Sequence, residues 1–378
     1  MKTIQVTCNA QGVWNKEVST TAIQPQLIVV FGATEFFKNP IALDALRNQF
    51  PDSVIIGGST AGEIADTTVN DGTLVATLVE FEKSSVKFTS TEVGKAEDSF
   101  DAGVRLVSQL DSNGLRHIFV VSEGLQINGS ELVRGIRSVL PPGITATGGL
   151  AGDGADFKET YVLGPNGKPF GKMVTAIGLY GESLKVGYGS LGGWDSFGVE
   201  RMVTRSVNNI LFELDGKPAL ELYKSFLGDH AANLPSSGLL FPLNMRVGKE
   251  DTPLVRTILA VNEADQSLTF AGDIPEGSYV RLMKANFDRL IDGAVGAAES
   301  TLTTDDLKNP DLAILISCVG RKLVLKQMIE EEVEGVSDVL GKETQLCGFY
   351  SYGEISPFKS GASCELHNQT MTITTLKE

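Results

Sequence analysis

One arrangement occurs three times along this chain of 378 residues, and it restricts the possible folds more than any other feature. Each time a short apolar run leads through an amphipathic helical stretch to a second apolar run, and then into a glycine loop. The opening runs are LIVVF at 27–31, HIFVV at 117–121 and LAILI at 312–316; the loops are GGSTAGEI at 57–64, GGLAGD at 148–153 and CGFYSYGEISP at 347–357. From the start of the run to the loop glycine is 30 residues in the first unit (27 to 57), 31 in the second (117 to 148) and 36 in the third (312 to 348). Apolar runs of this length bounded by turn signals read as buried strands, and the stretches between them have helical spacing. The same order three times indicates duplicated strand–helix–strand–loop–strand units. The expected fold is α/β: two modules, 1–192 and 193–378, of mixed β-sheets with flanking helices.

Other elements follow from local signals. Thr73–Phe81 and Ser85–Thr91 read as an antiparallel pair, as do Met173–Tyr180 and Leu184–Gly189. Lys322–Leu340 has the spacing of one longer helix, with Leu325, Met328, Ile329, Val333 and Val336 on one face, and Cys364–Leu376 supplies closing strand material. Between the second and third units, 192–309 has a different character. It opens on Gly192-Gly193-Trp194, a plausible junction. It continues with a hairpin turning at Val207-Asn208-Asn209 and a helix over Ala219–Leu227, and Leu254–Val261 then pairs with Ser267–Phe270.

Composition excludes some function classes. The net charge is −15, with Lys and Arg scattered, which argues against nucleic acid as a partner because phosphate binding needs a basic stripe. The N-terminus lacks the apolar core of a signal peptide, and the longest apolar runs are too short to span a bilayer, so no membrane partner is expected and the expected location is cytoplasmic. Four cysteines (Cys8, Cys318, Cys347, Cys364) form no CxxC pair and read as reduced thiols. No Walker A sequence is present, and Ser59 and Thr60 do not form a GxSxG nucleophile elbow.

The glycine loops carry the candidate binding residues. In each, a second glycine precedes an acid: Glu63, Asp153 or Glu354. Backbone N–H groups around Gly58, Ser59 and Thr60 could hold a carboxylate or phosphate, while Glu63 or Glu354 accepts from a ligand amine. Equally, each glutamate could accept hydrogen bonds from its own turn and fix the loop. The third loop adds Phe349, Tyr350, Ser351 and Tyr352, the aromatic faces and hydroxyls that a small-molecule pocket uses. In ELHNQTMTITTL, strand alternation puts His367, Gln369 and Met371 on one side and Leu366, Asn368 and Thr370 on the other. Polar residues facing a pocket suit ligand recognition, with His367, Asn368 and Gln369 as the candidates of this segment; a buried histidine bonded within the sheet is the competing reading. Cys318 and Cys347 would be redox-active only with a lowered pKa, and small buried residues are the plainer reading.

With these residues in view, the chain resembles the FIST family, bacterial proteins with an N-terminal and a C-terminal FIST module. The matching segments are IIGGSTAGEI (55–64), GGLAGDG (148–154), VTAIGLYG (174–181) and GYGSLGGW (187–194), then ELDGKPALELY (213–223), FPL (241–243), FAGDIPEGSYVRLM (270–283) and GFYSYGEISP with ELHNQT (348–370). The resemblance implies a sensory role in signal transduction: a small-molecule sensor, not an enzyme, that passes its ligand state to a separate partner such as a histidine kinase. A NosP-like subset of that family, of about this layout, binds haem and senses nitric oxide. For haem here, His367 is the candidate iron ligand and His230 the second choice. A third possibility is a small hydrolase or transferase built on the acidic glycine loops.

Overall fold

A computed structural model describes residues 1–16, 22–248, 253–303, 305–358 and 361–378. The three sequence units become three six-stranded sheets of one design. In each sheet the first and second apolar runs form a parallel pair: Leu27–Gly32 with Val54–Ser59, Leu115–Ser122 with Thr145–Leu150, and Leu312–Cys318 with Gln345–Ser351. A closing strand (Leu74–Glu80, Met173–Tyr180, Met371–Lys377) lies antiparallel to the first of the pair. An opening strand (Lys2–Cys8, Ser85–Glu92, Lys185–Leu191) forms the edge beyond it. The opening strand thus pairs with the last strand of its own unit, and the two hairpins expected from sequence proximity do not form. Each of the first two closing strands instead hands the chain to the edge of the next sheet within about four residues, too few to tell from a hairpin turn in the sequence.

The sixth place in each sheet is filled by exchange. After its glycine loop every unit lends a short hairpin to a neighbour. Glu63–Ala65 with Thr68–Asn70 joins the sheet of unit three, Val162–Leu163 with Pro169–Phe170 joins that of unit one, and Gly353–Pro357 with Cys364–His367 joins that of unit two. The exchange closes on itself, so the three units form a ring. Three backbone hydrogen bonds mark its centre: Ala61 N–H to Tyr350 O (2.8 Å), Tyr352 N–H to Leu150 O (3.1 Å) and Gly152 N–H to Ser59 O (2.9 Å).

The inner strands are buried on both faces because each face meets a different layer. Phe31, Phe119, Ile316 and Phe349 point inward to a core shared by all three sheets. Alternate residues point outward under helices. Ile28 and Val30 meet Leu43 and Leu46 of Ile41–Gln49; Ile118 and Val120 meet Leu132 and Ile136 of Gly129–Val139; Ala313 and Leu315 meet Val333 and Val336 of Ile329–Leu340. The loop glycines are needed where the parallel strands touch. A Cβ at Gly57, Gly148 or Gly348 would lie 1.7, 1.9 and 1.9 Å from the carbonyl oxygens of Val30, Val120 and Leu315.

Two other expected elements are broken. The helix over Lys322–Leu340 is interrupted: Val319–Leu325 ends at Lys326, whose φ is +52°, and Ile329–Leu340 begins a new axis. The strand over Cys364–Leu376 splits at 368–370, where Gln369 has φ +62°, and its two pieces belong to different sheets. Apolar periodicity on either side continues in phase, which hides a one-residue reversal.

Residues 195–284 form an eight-stranded sheet with the helix Ala219–Leu227 and a core of its own, including Leu211, Leu220, Leu268 and Phe270. This insert leaves the ring just after Gly192-Gly193-Trp194 and returns beside the same point, since Asp195 pairs with Lys284. Two of the three ring sheets contain strands from both sides of residue 192.

Candidate functional site

The two glutamates of the GEI loops occupy equivalent places and are bonded in the same way. Thr60 Oγ1 donates to Glu63 Oε1 (2.5 Å), and Thr73 donates to Oε2 through N (2.9 Å) and Oγ1 (2.8 Å). Ser351 Oγ donates to Glu354 Oε1 (2.8 Å), and Thr370 donates to Oε2 through N (3.2 Å) and Oγ1 (2.8 Å). Each carboxyl therefore ties the glycine loop to the start of a closing strand. Burial pushes Glu63 up to about 7 and Glu354 up to about 8, against the hydrogen bonds that favour the charged form. Asp153 is not their counterpart. Its loop is one residue shorter between the first glycine and the acid, and its carboxylate accepts from the N–H groups of Phe157, Lys158 and Glu159 and from Tyr352 Oη.

The other sequence candidates separate. Gly58 and Ser59 meet the hairpin imported from unit two: Gly58 pairs with Val162, and Ser59 Oγ accepts from Tyr161 N (2.9 Å). Phe349 packs in the central core with its ring 4.5 Å from Phe31. Tyr350 is fully buried and donates to Glu332 Oε1 (2.7 Å), in a network where Arg321 binds Glu332 Oε2 (2.6 Å) and the carbonyl of Leu290 (2.7 Å). His367 is buried, with Nε2 2.9 Å from Ser356 O, and desolvation brings it down to about 4. His230 is exposed on the insert beside Phe241, and His117 lies between the hydroxyls of Thr145 and Thr147. Neither His367 nor His230 lines the cavity described next, so these residues do not fit a haem there. Among the described residues no group of three or more His, Cys, Asp or Glu could hold a metal ion. No helix among them is long and apolar enough to cross a membrane.

Tyr352 and Asn368 do come together, in a cavity of about 290 Å³ between the centre of the ring and the insert. Unit two supplies the loop 124–129 and Phe157, whose ring stacks on Tyr352 at 4.5 Å. Unit three supplies Cys318, Val319, Tyr352 and Asn368; the insert supplies the 208–209 turn, Thr257, Leu259 and residues 270–273. The 124–129 turn is held by Glu123, which accepts from Leu125 N (2.9 Å), Gln126 N (2.7 Å) and Thr160 Oγ1 (2.7 Å). The insert is fastened over the cavity by Arg256, bonded to Asp273 O (3.0 Å) and Leu366 O (3.1 Å), and by Asp273, whose Oδ1 accepts from Asn128 Nδ2 (3.1 Å).

Two buried polar atoms at this cavity have no partner: Asn368 Oδ1 and Thr257 Oγ1. Asn368 Nδ2 donates to His367 O (3.0 Å), which fixes the amide, because the flipped form would set oxygen against oxygen. A buried unpaired acceptor costs free energy that a ligand or water can recover. Cys318 also lines the wall, but burial raises its pKa and keeps it a thiol. Sequence reading missed Thr257, the 124–129 loop and Asp273. For Asp273 a signal existed, since FAGDIPEGSYVRLM was one of the matching segments; Thr257 had none.

A model of the FIST N domain matches residues 26–217 and one of the FIST C domain matches 219–357. An uncharacterized protein of Methanocaldococcus jannaschii, MJ1623, is 25% identical over 372 residues, covering 87% of this chain and 69% of its own length. Among solved structures, cyanuric acid hydrolase from A. caulinodans is 8% identical with a TM-score of 0.37, covering 100% of this chain and 98% of that one; a likeness of that degree carries no argument here.

Proposed function

The chain belongs to the FIST family of sensory signal-transduction domains, and we propose that it is a non-catalytic sensor which binds a small molecule in the cavity between ring and insert and passes that state to a separate signalling protein. The observation that carries this reading is a cavity lined from both bodies, by Asn368 of the ring and Thr257 of the insert, each of which holds a buried side-chain oxygen without a partner. A ligand bonded to both spans the ring and the insert. It favours the arrangement in which the two are closed on each other by its differential affinity for that arrangement. Arg321 links the closure to the interior, because its guanidinium holds both Gly192 O, at the exit to the insert, and Glu332 in the core of unit three. The loop glutamates are compatible with a non-catalytic role: each carboxyl already accepts three hydrogen bonds, from a hydroxyl of its loop and from the N–H and hydroxyl of the threonine that starts the closing strand.

The test is a thermal-shift screen of metabolites on the wild-type chain and on Asn368→Ala. A saturable stabilisation of the wild type that shrinks at least about tenfold in apparent affinity in the variant is expected. A flat screen, or stabilisation untouched by the substitution, would sink the proposal. With a ligand in hand, hydrogen exchange should slow in the 256–273 segment of the insert.

A further inference from the structure

We infer that the mouth of this cavity grips a flat aromatic group of the bound molecule, with Phe157 of unit two and Leu259 of the insert as its two lips. The inference rests on reading the cavity as the sensory site, and it names the part of a ligand that the mouth selects. Both side chains line the cavity. Both are large, apolar and open to solvent, at 41% and 42% exposure. Single exposed apolar residues are ordinary on a protein surface. What sets these two apart is that the backbone departs from regular geometry at each of them.

Phe157 has φ +52°, in the left-handed region that a bulky side chain enters only where its surroundings impose it. Asp153 imposes it here, because its carboxylate accepts from the N–H groups of Phe157 (2.9 Å), Lys158 (2.7 Å) and Glu159 (2.8 Å). The same carboxylate accepts from Tyr352 Oη, and the Phe157 and Tyr352 rings lie 4.5 Å apart and 14° from parallel. The loop thus holds two aromatic faces together as a shelf, and a flat aromatic group extends such a stack. Leu259 is set by a different device. Ile258 pairs with Phe270 and Ala260 with Thr269, so Leu259 is the extra residue of a β-bulge. Bulges re-aim a side chain out of the strand's alternation, and this one places Leu259 in the cavity wall. The amides of Gln126, Asn208 and Asn209 also belong to the lining; an amide both donates and accepts, so they set no preference for charge.

The probe is quinoline, a flat aromatic molecule with no N–H, titrated at millimolar concentration and neutral pH against the full chain by calorimetry and thermal shift. Saturable binding is expected. Phe157→Leu keeps an apolar side chain but removes the aromatic face, and should weaken quinoline about fivefold. Leu259→Ala should weaken it by a similar factor. Ile41→Ala alters an exposed apolar residue of a different groove and should leave binding unchanged. Because both lips are exposed, the free variants should melt within about 3 °C of the parent. A larger drop would assign the two side chains to packing and overturn the inference. So would the absence of saturable binding, or a Phe157→Leu chain that binds quinoline as tightly as the parent. If a metabolite binds in a way that depends on Asn368 while both lip variants hold it as the parent does, the grip on an aromatic group is refuted and the sensory site stands.

Discussion

Glu63 and Glu354 show how one residue in a fixed setting produces a measurable pH response. Both hold their proton in the folded chain to about 7 and about 8, whereas an ordinary glutamate releases it at 4.5. Between 4.5 and those values the folded state binds more protons than the unfolded one, so their contribution to stability falls as pH rises. His117 and His367 act in the other direction. They stay neutral when folded to about 3 and about 4, against an ordinary 6.5, so their contribution falls as pH drops below 6.5. From 4.5 to 6.5 the two effects oppose each other and cancel to first order; above 6.5 only the glutamates remain. Stability should therefore decline between pH 6.5 and 8 by of order 2–3 kcal/mol. The double variant Glu63→Gln, Glu354→Gln should flatten that limb in melting curves taken across the range, and an unchanged limb would refute the assignment. The sequence left two readings of these acids open. In the structure each accepts from its own loop, from Thr60 or Ser351, and also from Thr73 or Thr370, ten and sixteen residues further on. A motif read over eight residues cannot include a partner that arrives from the next strand.

At the scale of elements, the glycine loops are places where strands cross closely, and their spacing was readable because backbone contact leaves no alternative to glycine. Gly57, Gly148 and Gly348 each abut a carbonyl of the neighbouring parallel strand. An alanine at any of them must push two backbones apart in a fully buried sheet. The expected loss is about 3 kcal/mol or more for Gly348→Ala, with comparable losses at the two equivalent sites, measured by urea unfolding. A loss below about 1 kcal/mol at all three would mean that the parallel pairs are looser than described. Strand pairing was less legible than strand existence. Apolar alternation specifies that Met173–Tyr180 is a buried strand, but it carries no record of whether the next strand, Lys185–Leu191, turns back on it or crosses to another sheet. The lent hairpins were hidden for the same reason. Glu63–Ala65 has only three residues, and its partner Cys347–Phe349 lies nearly three hundred residues away.

For the whole molecule, the cyclic exchange determines which pieces can exist alone. A chain cut at residue 192 gives halves that each lack strands of their own sheets: unit three loses its opening strand and the hairpin from unit one, and unit two loses the hairpin from unit three. Every missing strand exposes a row of unpaired N–H and C=O groups together with buried apolar surface. The insert is in the opposite position. Its sheet is complete, its core is its own, and its two ends are adjacent because Asp195 pairs with Lys284. Replacing residues 195–284 by a short Gly-Ser turn should leave a ring that melts cooperatively, although below the parent because Trp194 and Leu290 lose partners such as Met283 and Val255. The same deletion should abolish ligand binding, since one side of the cavity is gone. Fragments 1–192 and 193–378 expressed separately should be insoluble or lack a cooperative transition, and should recover one only when refolded together. If either fragment melted cooperatively alone, the ring would not be the folding unit. In that case ligand closure of the insert would have to act within one module, and the threefold exchange would not transmit it.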